Sequence, residues 1–246
     1  TGGMGLNRIN EAEGTCSVYR HDPQRPDTSL SHDYITSISE AAESGQLWIG
    51  TRDGLNRLDI QTGACRQYKH DPDRPGSLRR NDIHNTFLDR HGDLWVIANL
   101  YLERLPRGGS EFVHYRHDPA QATTISDGPG YPIFEDGAGT IWIGSWCGGL
   151  NRYDRPTDTF AHHTHQPDDP TSLSHDRVWA IHEDKRGRMW IGTYGGGLNR
   201  FDRNSGIFKR YLDTDGLASN VVYGILEDET GCLWLSSNNG LSRFNP

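Results

Sequence analysis

The chain of 246 residues has only 33% hydrophobic residues, but it contains 29 glycines and 7 tryptophans, and its formal net charge is −8. The negative charge argues against a nucleic-acid partner, because neutralising phosphates requires a basic face. No stretch resembles a transmembrane helix or a signal peptide, so we expect no membrane contact from this segment itself. The composition favours many short strands and turns held by large aromatic side chains.

Two motifs recur along the chain at a nearly fixed interval. The first is centred on a tryptophan, as in MWIGTYGGGLNRFD at 189–202. Its tryptophans are Trp48, Trp95, Trp142, Trp190 and Trp234, spaced 47, 47, 48 and 44 residues apart. The second motif reads YRHDP, YKHDP, YRHDP and HTHQP, beginning at Tyr19, Tyr68, Tyr115 and His163. A fixed period of this length indicates a repeat architecture.

One repeat, taken in chain order, contains four predicted strands. We expect them at 177–184, 188–193, 197–202 and 207–211, because apolar and polar residues alternate there and turn residues separate the runs. Three glycines, 195–197, connect the second strand to the third. No helical pattern follows them, so the sequence favours a hairpin turn over a phosphate-binding loop.

Four antiparallel strands followed by a longer polar loop predict an all-β fold, a β-propeller of four-stranded blades. A β-sandwich, the alternative, would show no repeat. We interpret residues 1–246 as a single propeller domain or propeller segment with repeats of about 48 residues, about five blade equivalents and incomplete blades at both ends. Each motif tryptophan is predicted between adjacent blades. The ends could complete a fifth blade, but a segment of a longer propeller is favoured, and its open edges would promote self-association.

The two motifs together resemble the two-component regulator propeller repeat, here as HEDKRGRMWIGTYGGGLNRFD and FAHHTHQPDDPTSLSHD. The resemblance extends over essentially the whole chain. The unit with VIANLYLERLPRGG departs from the pattern, which leaves its second turn undecided. The resemblance implies a seven-bladed sensor propeller of a hybrid two-component signalling protein, commonly periplasmic and covalently linked to further signalling domains. It also implies a ligand such as an oligosaccharide. Related repeats occur in streptogramin lyase, which is an enzyme.

The cysteines and histidines are interpreted through the repeat. Cys16 and Cys65 stand where other units have phenylalanine, so both are predicted to be small buried hydrophobic residues. Cys147 and Cys232 share no repeat position with them, so no disulfide framework is expected. The histidines of HHTH at 162–165 occupy repeated positions, and adjacent strand residues point to opposite faces, which argues against a zinc site.

Paired carboxylates also recur by repeat, immediately before a turn. The pairs are Glu135-Asp136, Glu183-Asp184 and Glu227-Asp228. A catalytic pair needs an asymmetric environment that separates two pKa values, so a structural role is favoured. The recurrent His-Asp-Pro is likewise interpreted as turn chemistry. We therefore expect no metal site, no cofactor and no catalytic residue.

The positions that vary within the fixed framework carry the predicted binding site. They are Thr36, His84, Tyr131, Trp179 and Tyr223 in the innermost strands, and Arg52, Asn99, Trp146, Tyr194 and Asn238 after the second strands. Aromatic rings beside polar groups suit an amphipathic ligand such as a sugar. The aromatic members are expected to converge on one side of the channel mouth, opposite the polar ones. The alternative is that the set only packs the channel wall.

The predicted function is a non-catalytic, ligand-binding sensor domain. A lyase on the same scaffold is the alternative, and it would use His84, His182 or Glu183 near the channel. His182 and Glu183 point in opposite directions on one strand, so at most one of them would face a given site. A pure protein-interaction scaffold, the third possibility, would bind no small molecule.

Overall fold

The computed structural model describes residues 3–41 and 45–246, except for the side chain of Tyr131. Within this part the chain forms short antiparallel strands, and its two helices are single 3-10 turns at Pro26–Thr28 and Asp213–Asp215. Neither turn is long and apolar enough to cross a membrane. The predicted all-β class is confirmed.

The strands form six sheets, each built from consecutive strands. The first sheet has two strands, β1 (Leu6–Asn10) and β2 (Thr15–Tyr19). The four-stranded sheets are β3 (Ile35–Glu40), β4 (Gln46–Thr51), β5 (Gly54–Asp59) and β6 (Cys65–Tyr68); β7 (Ile83–Leu88), β8 (Leu94–Ala98), β9 (Tyr101–Leu105) and β10 (Val113–Tyr115); β11 (Pro129–Glu135), β12 (Ile141–Ser145), β13 (Leu150–Asp154) and β14 (Thr159–His163); and β15 (Val178–Glu183), β16 (Met189–Thr193), β17 (Leu198–Asp202) and β18 (Ile207–Tyr211). The last sheet has three strands, β19 (Gly224–Glu227), β20 (Leu233–Ser237) and β21 (Gly240–Phe244).

The described strands thus form a two-stranded sheet, four complete sheets and a three-stranded sheet, with the incomplete units at the two ends as predicted. The four strands predicted within 177–211 are present, with ends shifted by a residue at most. The unit that departs from the repeat still forms a four-stranded sheet. Its second turn is made by Asn99 and Leu100, and Asn99 adopts the left-handed conformation (φ 58°) that asparagine tolerates better than most residues.

The chain divides into two compact units, residues 1–115 and residues 116–246. Within each unit, the first strands of consecutive four-stranded sheets pack against each other, β3 against β7 and β11 against β15. Each sheet therefore presents one face to the next.

An aspartate ties four of the five motif tryptophans to the turn that precedes each of them. Asp184 Oδ2 accepts the indole N–H of Trp190 (2.8 Å), and its Oδ1 accepts the amides of Arg186 (3.0 Å) and Arg188 (2.9 Å). Burial opposes ionisation of Asp184, but the hydrogen bonds from Trp190 and Arg188 prevail and lower its pKa. Equivalent indole bonds join Trp95 to Asp89, Trp142 to Asp136 and Trp234 to Asp228.

In two of the carboxylate pairs, the glutamate binds a turn of the preceding sheet. Glu227 accepts the backbone amide of Lys185 (2.9 Å), and Glu183 accepts the amide of Gly137 in the same way. Arg203 reinforces this contact, because its guanidinium binds both Glu183 and Asp136 (2.8 Å). Both carboxylates of the pair are thus used by the framework, as the repeat predicts.

Apolar packing between successive sheets buries three of the tryptophans as predicted. Trp48 packs against the β7–β10 sheet, Trp142 against the β15–β18 sheet, and Trp190 against Val222 and Leu233 of the last repeat. Trp95 is also fully buried. The prediction is wrong for Trp234, which is 38% exposed, because no further sheet covers this face among the described residues.

Glycine allows the sheets to approach closely. A Cβ on Gly192 of β16 would lie 2.7 Å from Val222, and one on Gly144 of β12 would lie 2.8 Å from Val178. Real Cβ atoms do not approach this closely, so the glycine of the WIG motif is needed where the next sheet docks.

The cysteines follow the prediction only in part. Cys65 is buried, and burial raises its pKa to about 11, as expected for an inert core thiol. Cys16 is exposed, contrary to the prediction, because β1 and β2 form a sheet whose residues are largely exposed. All four thiols are free.

A buried glutamate replaces the asparagine of the third strand in one sheet. Asn56 and Asn199 accept the amides of Ser31 and Ser174, whereas Glu103 accepts the amide of Arg79 (2.8 Å). Glu103 is fully buried, and this burial raises its pKa to about 7. Its other oxygen lies 3.3 Å from His114 Nδ1.

We expect the stability of the first unit to depend on pH through Glu103. The folded state binds the Glu103 proton more tightly than the unfolded chain, so this contribution is complete below the ordinary pKa of 4.5 and is lost as pH rises through about 7. Glu103→Gln should therefore stabilise the protein at pH 8 and remove this pH dependence, as measured by urea denaturation between pH 5 and pH 8. Glu111→Gln, at an exposed glutamate, is the control; an unchanged pH profile in Glu103→Gln would contradict the prediction.

We also expect the tryptophans to differ in their effect on stability. Trp190→Ala should lower the free energy of unfolding by about 3–5 kcal/mol, because loss of the fully buried indole leaves a cavity and removes one hydrogen bond to Asp184. Trp234→Ala should cost much less, since Trp234 makes the same hydrogen bond on an exposed face. Equal losses in denaturation experiments would show that the hydrogen bond, not burial between sheets, dominates.

Candidate functional site

The first strand of each four-stranded sheet contains an irregularity at the position where the sequence varies. In β15, Val178 pairs with Thr193 and Ala180 pairs with Gly192, so Trp179 is an extra residue outside the ladder. Thr36 in β3 and His84 in β7 are extra residues in the same way. Such bulges redirect a side chain and are frequent beside functional sites.

Four aromatic rings meet around Trp179 in the second unit, and we call Trp146, Trp179, Tyr194 and Tyr223 the aromatic platform. The Trp179 ring lies 5.1 Å from Trp146, 5.4 Å from Tyr223 and 6.2 Å from Tyr194, measured between ring centroids. Tyr194 and Tyr223 are also 6.2 Å apart. These distances are typical of interacting aromatic pairs.

The platform residues come from three successive repeats. Trp146 follows β12 and Tyr194 follows β16, and their amides donate to Gly128 O (2.8 Å) and Arg177 O (2.9 Å). Tyr194 and Tyr223 are each 38% exposed, and the two tryptophans are half-buried. The platform therefore combines rings anchored in the framework with ring surface open to solvent.

Polar groups that the sequence did not single out border the platform. The Arg177 guanidinium lies 5.7 Å from the centre of the Tyr194 ring. The Arg177 amide donates to Nδ1 of His175 (3.0 Å), so the hydrogen of the neutral ring is on Nε2. Burial lowers the pKa of His175, which keeps the ring neutral near pH 7. The only sequence signal for His175 and Arg177 is that they lie just before Trp179, one of the varied positions.

Two further predicted residues of the second unit have less direct roles. Asn238 accepts a hydrogen bond from Ser219 (2.8 Å), in the loop whose Val221 bridges to Tyr194. Tyr131 belongs to β11, but its side chain lies outside the part that the structure describes.

The other predicted polar residues belong to the first unit. Arg52 is exposed and lies 4.1 Å above the Tyr34 ring, and His84 Nε2 is 3.4 Å from Asp82. Asn99 forms the tight turn described above. The Thr36 hydroxyl oxygen is buried without a hydrogen-bond partner in the described residues, so it is not presented to solvent.

The histidines singled out by the sequence have separate structural partners. His162 bonds to Thr124 O (2.7 Å), His165 bonds to Leu173 O (2.8 Å), and His163 packs against Phe201 (4.8 Å between centroids). Burial lowers the pKa of His163. In the described residues, no group of three or more potential ligands could hold a metal ion.

The recurrent His-Asp-Pro forms turns as predicted. Asp22 and Asp71 each accept an amide two residues further on, at 3.0 Å. The preceding histidines reach across the loop, with His21 bonded to Leu30 O and His70 to Leu78 O (both 2.7 Å). These loops fix a buried leucine beneath each turn.

Comparison with protein families identifies the repeat. The model described as two component regulator propeller matches residues 172–195 and 216–239. These segments are two-component regulator propeller repeats. The matched residues include Trp190 and Trp234, the turn glycines that precede them (Gly187 and Gly231), and the SLSHD segment before β15. A search of curated protein sequences gave no significant match.

Solved structures share the fold of these two-component regulator propeller repeats. An extracellular domain assigned to a hybrid two component system of B. thetaiotaomicron (BT3049) matches with a TM-score of 0.74 and 22% identity, over 88% of this chain and 29% of that one. A second such domain, of BT4673, gives a TM-score of 0.51 and 22% identity over 99% and 39% of the two chains. PorZ, a surface component of the type-IX secretion system of Porphyromonas gingivalis, gives 0.75 and 18%, over 99% and 36%. The chain thus spans less than half the length of each of these three proteins.

Proposed function

We propose that the chain is a ligand-binding sensor segment of a two-component signalling protein. The family match at 172–195 and 216–239 and the likeness to extracellular domains of hybrid two component systems support the signalling role. On this proposal the segment is exported, to the periplasm or the cell exterior, and is covalently linked to further signalling domains.

The aromatic platform carries the proposal that this segment binds a ligand. Sugar rings present C–H faces that stack on aromatic side chains and hydroxyls that need polar partners. Trp179 and Tyr194 supply the rings, and Arg177 and His175 supply donors beside them. We infer that the ligand is an oligosaccharide.

A lyase on the same scaffold has less support. It would need a histidine and a carboxylate held together at an open site. Glu183 binds Arg203 and the Gly137 amide, and His182 lies 3.8 Å from Glu227, whose carboxylate accepts the Lys185 amide. Glu183 and His182 therefore have framework partners, which does not favour acid–base work. The third candidate, His84, lies 3.4 Å from the carboxylate of Asp82.

A thermal-shift screen against oligosaccharides, followed by calorimetry, tests the binding proposal. A ligand that binds only the folded state raises the melting temperature. Trp179→Ala should weaken the affinity for the best saccharide by about tenfold or more, because it removes the ring that contacts the other three platform members. The melting temperature of the free protein should change much less than in Trp190→Ala.

Trp234→Ala is the matched control for Trp179→Ala. It also removes a partly exposed tryptophan, but one that lies outside the aromatic platform. It should leave saccharide affinity unchanged. Absence of saccharide binding, or undiminished binding by Trp179→Ala, would contradict the proposal. The first outcome would favour a protein-interaction scaffold.

A further inference from the structure

A cavity lies in the first unit, between the β3–β6 and β7–β10 sheets. Its volume is about 330 Å³, at the lower end of the range for small-molecule sites. Its walls include the aromatic side chains of Trp48 and Tyr68 and the glycine-rich turn at 106–110. None of its described lining residues carries a carboxylate.

Three arginines line this cavity, in a chain of net charge −8. Arg57 and Arg66 are directly opposed on β5 and β6, so both point to the same face of the sheet. Their guanidinium groups lie over Trp48 (5.6 Å) and Tyr68 (4.8 Å). Arg107, which follows β9 in the other sheet, is the third arginine. An anion in this cavity would lie beside the guanidinium groups of Arg66 and Arg107.

Among the described four-stranded sheets, two directly opposed arginines occur only on β5 and β6, whereas Arg200 opposes a lysine on β17 and β18. The position of Arg66 is occupied by Val113, Ala161 and Lys209 in the other four-stranded sheets. The turn after the third strand normally begins with aspartate, as at Asp59 and Asp202, whose carboxylates accept the amides that follow. Proline stands at this position in the β7–β10 sheet, so the turn at 106–110 lacks that carboxylate.

The nearby carboxylates have other partners or lie outside the cavity. Asp93 is buried and binds Arg104 (3.0 Å) and the Arg107 amide (2.9 Å). Asp27 and Asp59 line an adjoining depression that shares Arg57 and Arg66. The ion pairs of the described residues include neither Arg66 nor Arg107.

We propose that this arginine cavity binds an oxyanion group, such as a sulfate, phosphate or carboxylate, of a small ligand. Guanidinium groups offer paired N–H donors that match the oxygens of these anions, and Ser110 adds a hydroxyl on the same rim. The aromatic walls would contact the less polar part of the ligand. The cavity lies entirely within the first unit and shares no residue with the aromatic platform of the second.

Calorimetric titration with sodium sulfate, sodium phosphate and sodium acetate tests this proposal, with sodium chloride keeping the ionic strength constant. Saturable binding of at least one oxyanion is expected, and the ranking of the three identifies the preferred group. The double variant Arg66→Gln/Arg107→Gln should bind that anion about tenfold more weakly or worse, since it loses charged hydrogen-bond donors. Both side chains are exposed, so the fold should be retained.

Lys209→Gln is the matched control, because Lys209 holds the position of Arg66 in the β15–β18 sheet and also lies over a tyrosine (4.9 Å from Tyr211). It should bind the anion like the unmodified protein. The proposal is overturned if no anion binds above the chloride background, or if the double variant binds as well as the unmodified protein. Loss of binding in Lys209→Gln alone would place the anion elsewhere and also overturn it.

Discussion

The carboxylate that joins a turn to a tryptophan sets the position of each sheet's docking face. Asp184 receives two turn amides on one oxygen and the Trp190 indole on the other. The side chain is buried, but these hydrogen bonds offset the cost of burying the ionised carboxylate and lower its pKa. The bond is complete within one sheet, because Trp234 makes it at 3.0 Å on an exposed face. The indole can therefore be oriented within its own sheet, without contacts from the next one.

Stability between sheets then depends on features that point from one repeat into the next. The indole of Trp190 meets Val222 and Leu233, the missing side chain of Gly192 gives Val222 room, and Glu227 accepts an amide of the preceding turn. Apolar burial supplies most of the free energy, whereas the glutamate fixes the alignment of neighbouring turns. This division accounts for the recurrence of both members of the carboxylate pair by structural roles alone.

The repeat alone predicted most of the fold, including the strands of residues 177–211 and the incomplete sheets. It also singled out the residues of the aromatic platform, because varied positions stand out against a fixed framework. The bulge at Trp179 could not be predicted, since alternation in sequence does not reveal an extra residue in the ladder. The exposure of Cys16 and Trp234 depends on which sheets cover them. The position of Arg177 over the Tyr194 ring depends on the folded chain and not on a sequence pattern. The opposition of Arg57 and Arg66 follows only from the register of β5 and β6.

The bulge has a consequence for how such proteins diverge. A residue outside the hydrogen-bonded ladder can change size and chemistry without shifting the register of the strand that carries it. Threonine, histidine and tryptophan occupy this position in three sheets of one chain, and each sheet keeps its pairing. Duplicated repeats could therefore acquire new recognition properties through single substitutions, with little loss of folding stability. The architecture separates the positions that can change in chemistry from those that maintain strand pairing.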